Sequence, residues 1–167
     1  GCSGTGTCAV TLSTDLTVTA TFDAAAPRTP LAGIAAIAAG GSQTCARASA
    51  GGVKCWGLND RGQVGNNSTT SVTSPTDVLS AGPGPAISGI ASITTGYTLS
   101  CARNGSGQAL CWGGGDVGQL GQGAGDLTDK STAIAVKDTA GTGLLSGLQA
   151  LAAGYAFACA RTATNEA

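Results

Sequence analysis

The chain has 167 residues with eight basic and nine acidic side chains, a net charge of −1, seven cysteines, no histidine and no methionine. That charge gives no pull toward nucleic acid or anionic lipid, and without imidazole the sequence holds no Ser–His–Asp triad, no Cys–His dyad and no His metal site. No C-x-x-C pair occurs and no apolar run reaches the ~18–20 residues of a membrane span, while 28 glycines beside few aromatic residues predict short strands joined by tight turns.

The first predicted element covers residues 1–22. Cys2 and Cys8 close "CSGTGTC", and Leu16, Val18, Ala20 and Phe22 then alternate with threonines as in a half-buried strand, so the segment reads as a small hairpin. Residues 23–32, "DAAAPRTPLA", carry two prolines and no apolar period, and are predicted to be a linker. The lack of a methionine start reads as an internal or processed piece of a longer protein.

From residue 33 the chain repeats itself. "GIAAIAAGGSQTCAR" at 33–47, "GIASITTGYTLSCAR" at 89–103 and "GLQALAAGYAFACAR" at 147–161 begin 56 and then 58 residues apart. A second half follows twice, as "VKCWGLNDRGQVG" at 53–65 and "ALCWGGGDVGQLG" at 109–121. These periods predict one repeat over 33–88, a second over 89–146 and a truncated third over 147–167. Cys45 and Cys55, like Cys101 and Cys111, stand ten residues apart around Gly-containing tips, so each pair is predicted to face across a hairpin as a disulfide; buried free thiols in a cytosolic protein are the competing reading. By the same register the partner of Cys159 falls at position 169, outside this sequence.

A Trp-Gly in each full repeat, at a period in the fifties, predicts one small sheet per repeat and an all-β fold. The pattern Ala39-Gly40, Cys45-Ala46, then Cys55-Trp56-Gly57-Leu58-Asn59-Asp60-Arg61-Gly62-Gln63-Val64-Gly65 resembles the regulator of chromosome condensation repeat in the cysteine-bearing form of bacterial secreted proteins. The second copy shows Gly96, then Cys111-Trp112-Gly113, Gly118-Gln119 and Gly121. The resemblance implies a partial β-propeller, two blades and the start of a third from a seven-bladed ring. Two departures stand out. The histidine that this family carries two residues before the first cysteine is Gln43, Leu99 and Phe157 here, and the connections "LSAGPGPAISG" and "VKDTAGTGLLSG" are long, so they are expected as loops on a propeller face. Residues 1–22 separately resemble the end of a divergent internalin-type B repeat of bacterial surface proteins.

Several motifs invite a chemical reading. Gly113, Gly115 and Gly118 fit the dinucleotide spacing G-x-G-x-x-G, yet Gly113 and Gly118 match Gly57 and Gly62 in register and no helical period follows, so they read as turn residues with Gly115 incidental. Arg47, Arg103 and Arg161 recur after Cys-Ala and are expected to bond neighbouring loop oxygens. Trp56 and Trp112 are expected in the core rather than as sugar platforms. Asp126 and Asp129, with Asp116 nearby, lack the D-x-[DN]-x-[DN]-G cation loop, and the sequons at Asn67 and Asn104 are expected to stay bare in a bacterial host.

The sequence therefore predicts a non-catalytic binding or adhesion scaffold, extracellular or on the bacterial cell surface, with no cofactor, no metal and a protein or glycan as partner. The alternatives are guanine nucleotide exchange on a small GTPase, which the resemblance brings, and inhibition of a secreted enzyme.

Overall fold

The computed structural model describes residues 30–163. The chain divides into two units, Gly1–Pro30 and Leu31–Ala167. The Cys2–Cys8 pair, the hairpin of 1–22 and nearly all of the linker lie outside the described residues.

Ten strands follow from Ile34 onward, and no helix occurs among the described residues. The strands β1 (Ile34–Ala39), β2 (Gln43–Ala48), β3 (Val53–Gly57) and β4 (Val72–Asp77) form an antiparallel meander in the order of the chain. The next four, β5 (Ile90–Thr95), β6 (Leu99–Asn104), β7 (Ala109–Gly113) and β8 (Lys130–Ala135), form a second meander of the same order. A hairpin of β9 (Leu148–Ala153) and β10 (Ala158–Thr162) comes third. These are two four-stranded blades and a two-stranded one of a partial β-propeller.

Short strands of alanine, threonine and branched residues suit a pleated surface packed on both faces, and glycines end them. Gly57 and Gly113 close β3 and β7 at φ 112° and 103°, a backbone that favours glycine, and a Cβ there would run into the carbonyl oxygens of Ser42 and Thr98. Gly40 and Gly96 serve a different need. A Cβ on Gly40 would meet the carbonyl oxygen of Gly96, and one on Gly96 that of Gly154, so these glycines let neighbouring blades touch backbone to backbone.

The core lies between blades. Cys45, Val53 and Cys55 of the first blade share a buried cluster with Ile90, Ala102 and Trp112 of the second, joined by Val64 and Val78. Leu99, Cys101, Cys111 and Leu120 form the next cluster, with Leu151 and Ala158 of the third blade packed against it. Trp112 is fully buried because the segment 63–65 of the preceding blade covers it: its indole N–H donates to the Gln63 carbonyl at 2.9 Å, and the Ser100 hydroxyl donates to the same oxygen at 3.0 Å. Trp56, in the same register, is half-buried, and the described residues hold no preceding blade to cover it.

The two long connections are small hairpins rather than plain loops. Residues 78–87 make a small hairpin, with Ser80 N–H donating to Pro85 O at 2.9 Å and Ile87 N–H to Val78 O at 2.8 Å. Its Leu79 carbonyl accepts from Ala133 N–H at 2.9 Å, so this connection is stitched to β8 of the following blade. Lys137 and Leu144 form an antiparallel bridge within the second connection, as Leu79 and Ala86 do in the first. Unpaired strand edges are costly to leave open, and here the connector covers one.

Candidate functional site

Strand direction sorts the loops into two ends. The β1–β2, β5–β6 and β9–β10 turns share one end with the β3–β4 loop (58–71) and the β7–β8 loop (114–129), and the inter-blade connections lie at the other.

Three turns line up at the first end. Gly41 N–H donates to Gly96 O at 3.2 Å, and Tyr97 N–H donates to Tyr155 O at 3.1 Å, so one backbone ladder runs from blade to blade. The Gln43 amide, buried, donates to the carbonyls of Gly96 and Leu99, both at 3.1 Å. The position that departs from the family's histidine is thus a polar clamp between blades. Leu99, its counterpart, is buried in the next interface, whereas Phe157 is exposed.

On this ladder stand the chain's two tyrosines. The rings of Tyr97 and Tyr155 stack with centroids 4.5 Å apart and planes 16° from parallel, and they remain 43% and 68% exposed. Gly41 holds the same register in the first blade, and a Cβ on it would collide with the Tyr97 ring, so the glycine gives that ring its seat. These two rings make an exposed aromatic patch on a backbone ladder. Sequence reasoning overlooked them. The available signal was that both tyrosines follow the same repeat glycine, Gly96 and Gly154.

The signature loops brace this end. Asn59 is fully buried: its amide donates to Ser68 O at 2.8 Å and Thr70 O at 3.0 Å, and its oxygen accepts Val64 N–H at 2.8 Å. The Gln63 side chain joins Asp60 to the backbone N–H of Arg61, and Gln119 does the same for Asp116 and Val117. Gly62 and Gly65, at φ 79° and 80°, and Gly118 and Gly121, at 79° and 63°, make the turns that frame these glutamines. Leu58 N–H donates to Ser42 O and Gly114 N–H to Thr98 O, tying each loop to its neighbouring turn. Gly115 is not incidental. It stands where Asn59 stands in the first blade, and a Cβ on it would run into the Thr128 carbonyl oxygen, so the second loop folds across space that a side chain would need.

Charge at this end is paired. Arg61 reaches from the first blade to Asp116 at 2.7 Å and Asp129 at 3.0 Å in the second. The hydrogen bond to Asp116 raises the Arg61 pKa, and hydrogen bonds from Gln119 and then Arg61 lower that of Asp116. Asp126, bonded first by Thr128 and then by Lys130, is lowered to about 2. These carboxylates hold cationic side chains, and among the described residues no group of His, Cys, Asp or Glu is arranged to hold a metal. Arg47 donates to the carbonyls of Ala48 and Ile90, Arg103 to that of Asn104, and Arg161 to the side chain of Gln149.

Cys45–Cys55 and Cys101–Cys111 are disulfides joining β2 to β3 and β6 to β7, each with Cα atoms 4.1 Å apart, and Cys159 is a free, exposed thiol. Disulfides in a small β fold fit an oxidising compartment. Residues 34–63 match one form of the Regulator of chromosome condensation (RCC1) repeat, and residues 50–103 match another. Residues 34–103 are thus identified as RCC1 repeats. Three solved structures show the same fold. They are human WBSCR16, at TM-score 0.66 and 18% identity over 78% of this chain and 31% of that one; yeast RCC1 (Prp20) bound to Kap60, at 0.62 and 19% over 79% and 30%; and Prp20p from Saccharomyces cerevisiae, at 0.59 and 21% over 80% and 32%. This chain spans about a third of the length of each. No curated protein matches it.

Proposed function

We propose that this chain is part of a non-catalytic binding scaffold in a secreted or surface-anchored bacterial protein, and that the turn end of its blades contacts a protein or glycan. The observation that carries the reading is the stacked, exposed Tyr97–Tyr155 pair on a backbone ladder braced by Gln43 and the signature loops. Tyrosine supplies broad amphipathic contact area at small entropic cost, and loops on a rigid scaffold are where recognition residues concentrate. The yeast RCC1 (Prp20) structure holds bound Kap60, and the Prp20p report concerns its binding to Gsp1p and histones, which supports protein contact as the use of such a propeller.

A glycan array and a pull-down of surface proteins with the chain and its Tyr97→Ala/Tyr155→Ala variant test the proposal. The variant is expected to lose binding about tenfold or more while circular dichroism stays unchanged, in keeping with the weight tyrosine anchors carry at interfaces. Equal binding by both chains sinks it. Guanine nucleotide exchange is the second reading, favoured by the likeness to Prp20 and opposed by the two disulfides; stimulated nucleotide release from a small GTPase would restore it.

A further inference from the structure

Asn104-Gly105 is the one Asn-Gly pair in the sequence, and it stands at the tip of the β6–β7 hairpin. In a free peptide such a pair is short-lived: the glycine nitrogen, with no side chain beside it, attacks the side-chain carbonyl carbon of the asparagine. At this tip every group the attack needs is held by a hydrogen bond. Gly105 N–H donates to Gly89 O at 2.9 Å. Asn104 Oδ1 accepts the backbone N–H groups of Ser106 at 3.0 Å and Gln108 at 2.9 Å, and its Nδ2 donates to Gln108 Oε1 at 3.0 Å. The turn itself does not call for asparagine. Asn104 N–H donates to Gln108 O and Gly107 N–H to Asn104 O, and the first blade builds the same pair of bonds from Ala48 with Gly52 and Gly51. The side-chain contacts are an addition at the second tip, and they engage the atoms that would react. Gly105 and Ser106 are exposed, so water reaches the tip.

We infer that Asn104 is a modification site held shut by the hairpin tip, its amide converted to aspartate or isoaspartate only when the tip opens. The Gly105 nitrogen gives its proton to solvent base and bonds to Asn104 Cγ, and the side-chain nitrogen takes a proton and leaves as ammonia. A five-membered succinimide remains. Water then adds at either of its carbonyls and breaks one carbon–nitrogen bond, giving aspartate or isoaspartate. With the contacts in place the Gly105 proton is bound to Gly89 O and the amide is pinned to Ser106 and Gln108, so the rate follows the open fraction of the tip. Either product lacks the amide that donates to Gln108 Oε1, and isoaspartate adds a carbon to the main chain in the turn, three residues from Cys101. One opening thereby leaves a permanent mark.

The experiment follows Asn104 by peptide-mapping mass spectrometry in mildly alkaline buffer, in the whole chain with its disulfides formed and in a synthetic peptide of residues 102–109. The folded chain is expected to convert at least about tenfold more slowly than the peptide, because several hydrogen bonds must open together. Gln108→Ala removes the Oε1 acceptor and keeps the backbone N–H; it is expected to speed conversion about three- to tenfold, the weight of one hydrogen bond, and to quicken hydrogen exchange at Gly105 by a like factor. Unfolding the chain in urea is expected to restore the peptide's rate. Conversion of the folded chain at the peptide's rate overturns the inference. Slow conversion that persists in urea overturns it too, and so does a Gln108→Ala chain whose Gly105 exchange quickens while Asn104 conversion does not.

Discussion

Trp112 shows how a single side chain joins two blades. Its ring fills the cluster between them, and its indole N–H bonds the Gln63 carbonyl of the preceding blade. Trp112→Phe removes the donor and opens a small cavity, and denaturant unfolding followed by circular dichroism is expected to show a loss of about 1–3 kcal/mol. Trp56→Phe, at a half-buried site, is expected to cost under about 1 kcal/mol, and equal losses would refute the packing account. Asp126 offers a titration. Its carboxyl is lowered from 3.8 to about 2 by Thr128 first and Lys130 second, so its contribution is complete above pH 3.8 and fades as pH falls through about 2. A carboxyl-carbon NMR titration is expected to give a midpoint near 2, with Thr128→Val raising it more than Lys130→Ala does. A midpoint at the ordinary value would show that the Asp126–Thr128–Lys130 contacts do not persist in solution.

Within each four-stranded blade the cross-linked central hairpin is the stiff element. Cys101 and Cys111 stand directly opposite in the β6–β7 register, as Cys45 and Cys55 do in β2–β3, so each bond fixes strands that are already paired. Closing so short a loop contributes about 2–3 kcal/mol in the chain-entropy account. Replacing Cys101 and Cys111 together by serine is expected to lower the unfolding free energy by that amount, or by more where buried hydroxyls lack partners. An unchanged midpoint would remove the disulfides from the stability argument. These hairpins were legible in the sequence because cysteine spacing and Trp-Gly recur in register. Gln43 and the stitch of the first connector to β8 were not, because they exist only across a blade boundary, and Gly115 was not, because its constraint is the Thr128 carbonyl on the far side of its own loop. The carbonyls that Gln43 clamps lie 53 and 56 residues away in sequence, and no local pattern points to them.

Stacked blades bury their faces only on each other, so stability is a sum of interfaces rather than a property of one core. The two interfaces here are unequal. The first has Trp112 at its centre, two hydrogen bonds onto Gln63 O, the Gln43 clamp and Arg61 bridging two carboxylates. The second has the smaller cluster around Leu99 and Leu120 and an open groove beside it. Segments with fewer buried contacts open at lower free energy, so native-state hydrogen exchange should read this gradient directly. Amides of β3, β6 and β7 are expected to exchange slowest, and those of β9 and β10 at least about tenfold faster, a difference of about 1.4 kcal/mol. Uniform exchange across all three blades would mean that they open as one unit, and the inequality of the interfaces would then carry no energetic weight.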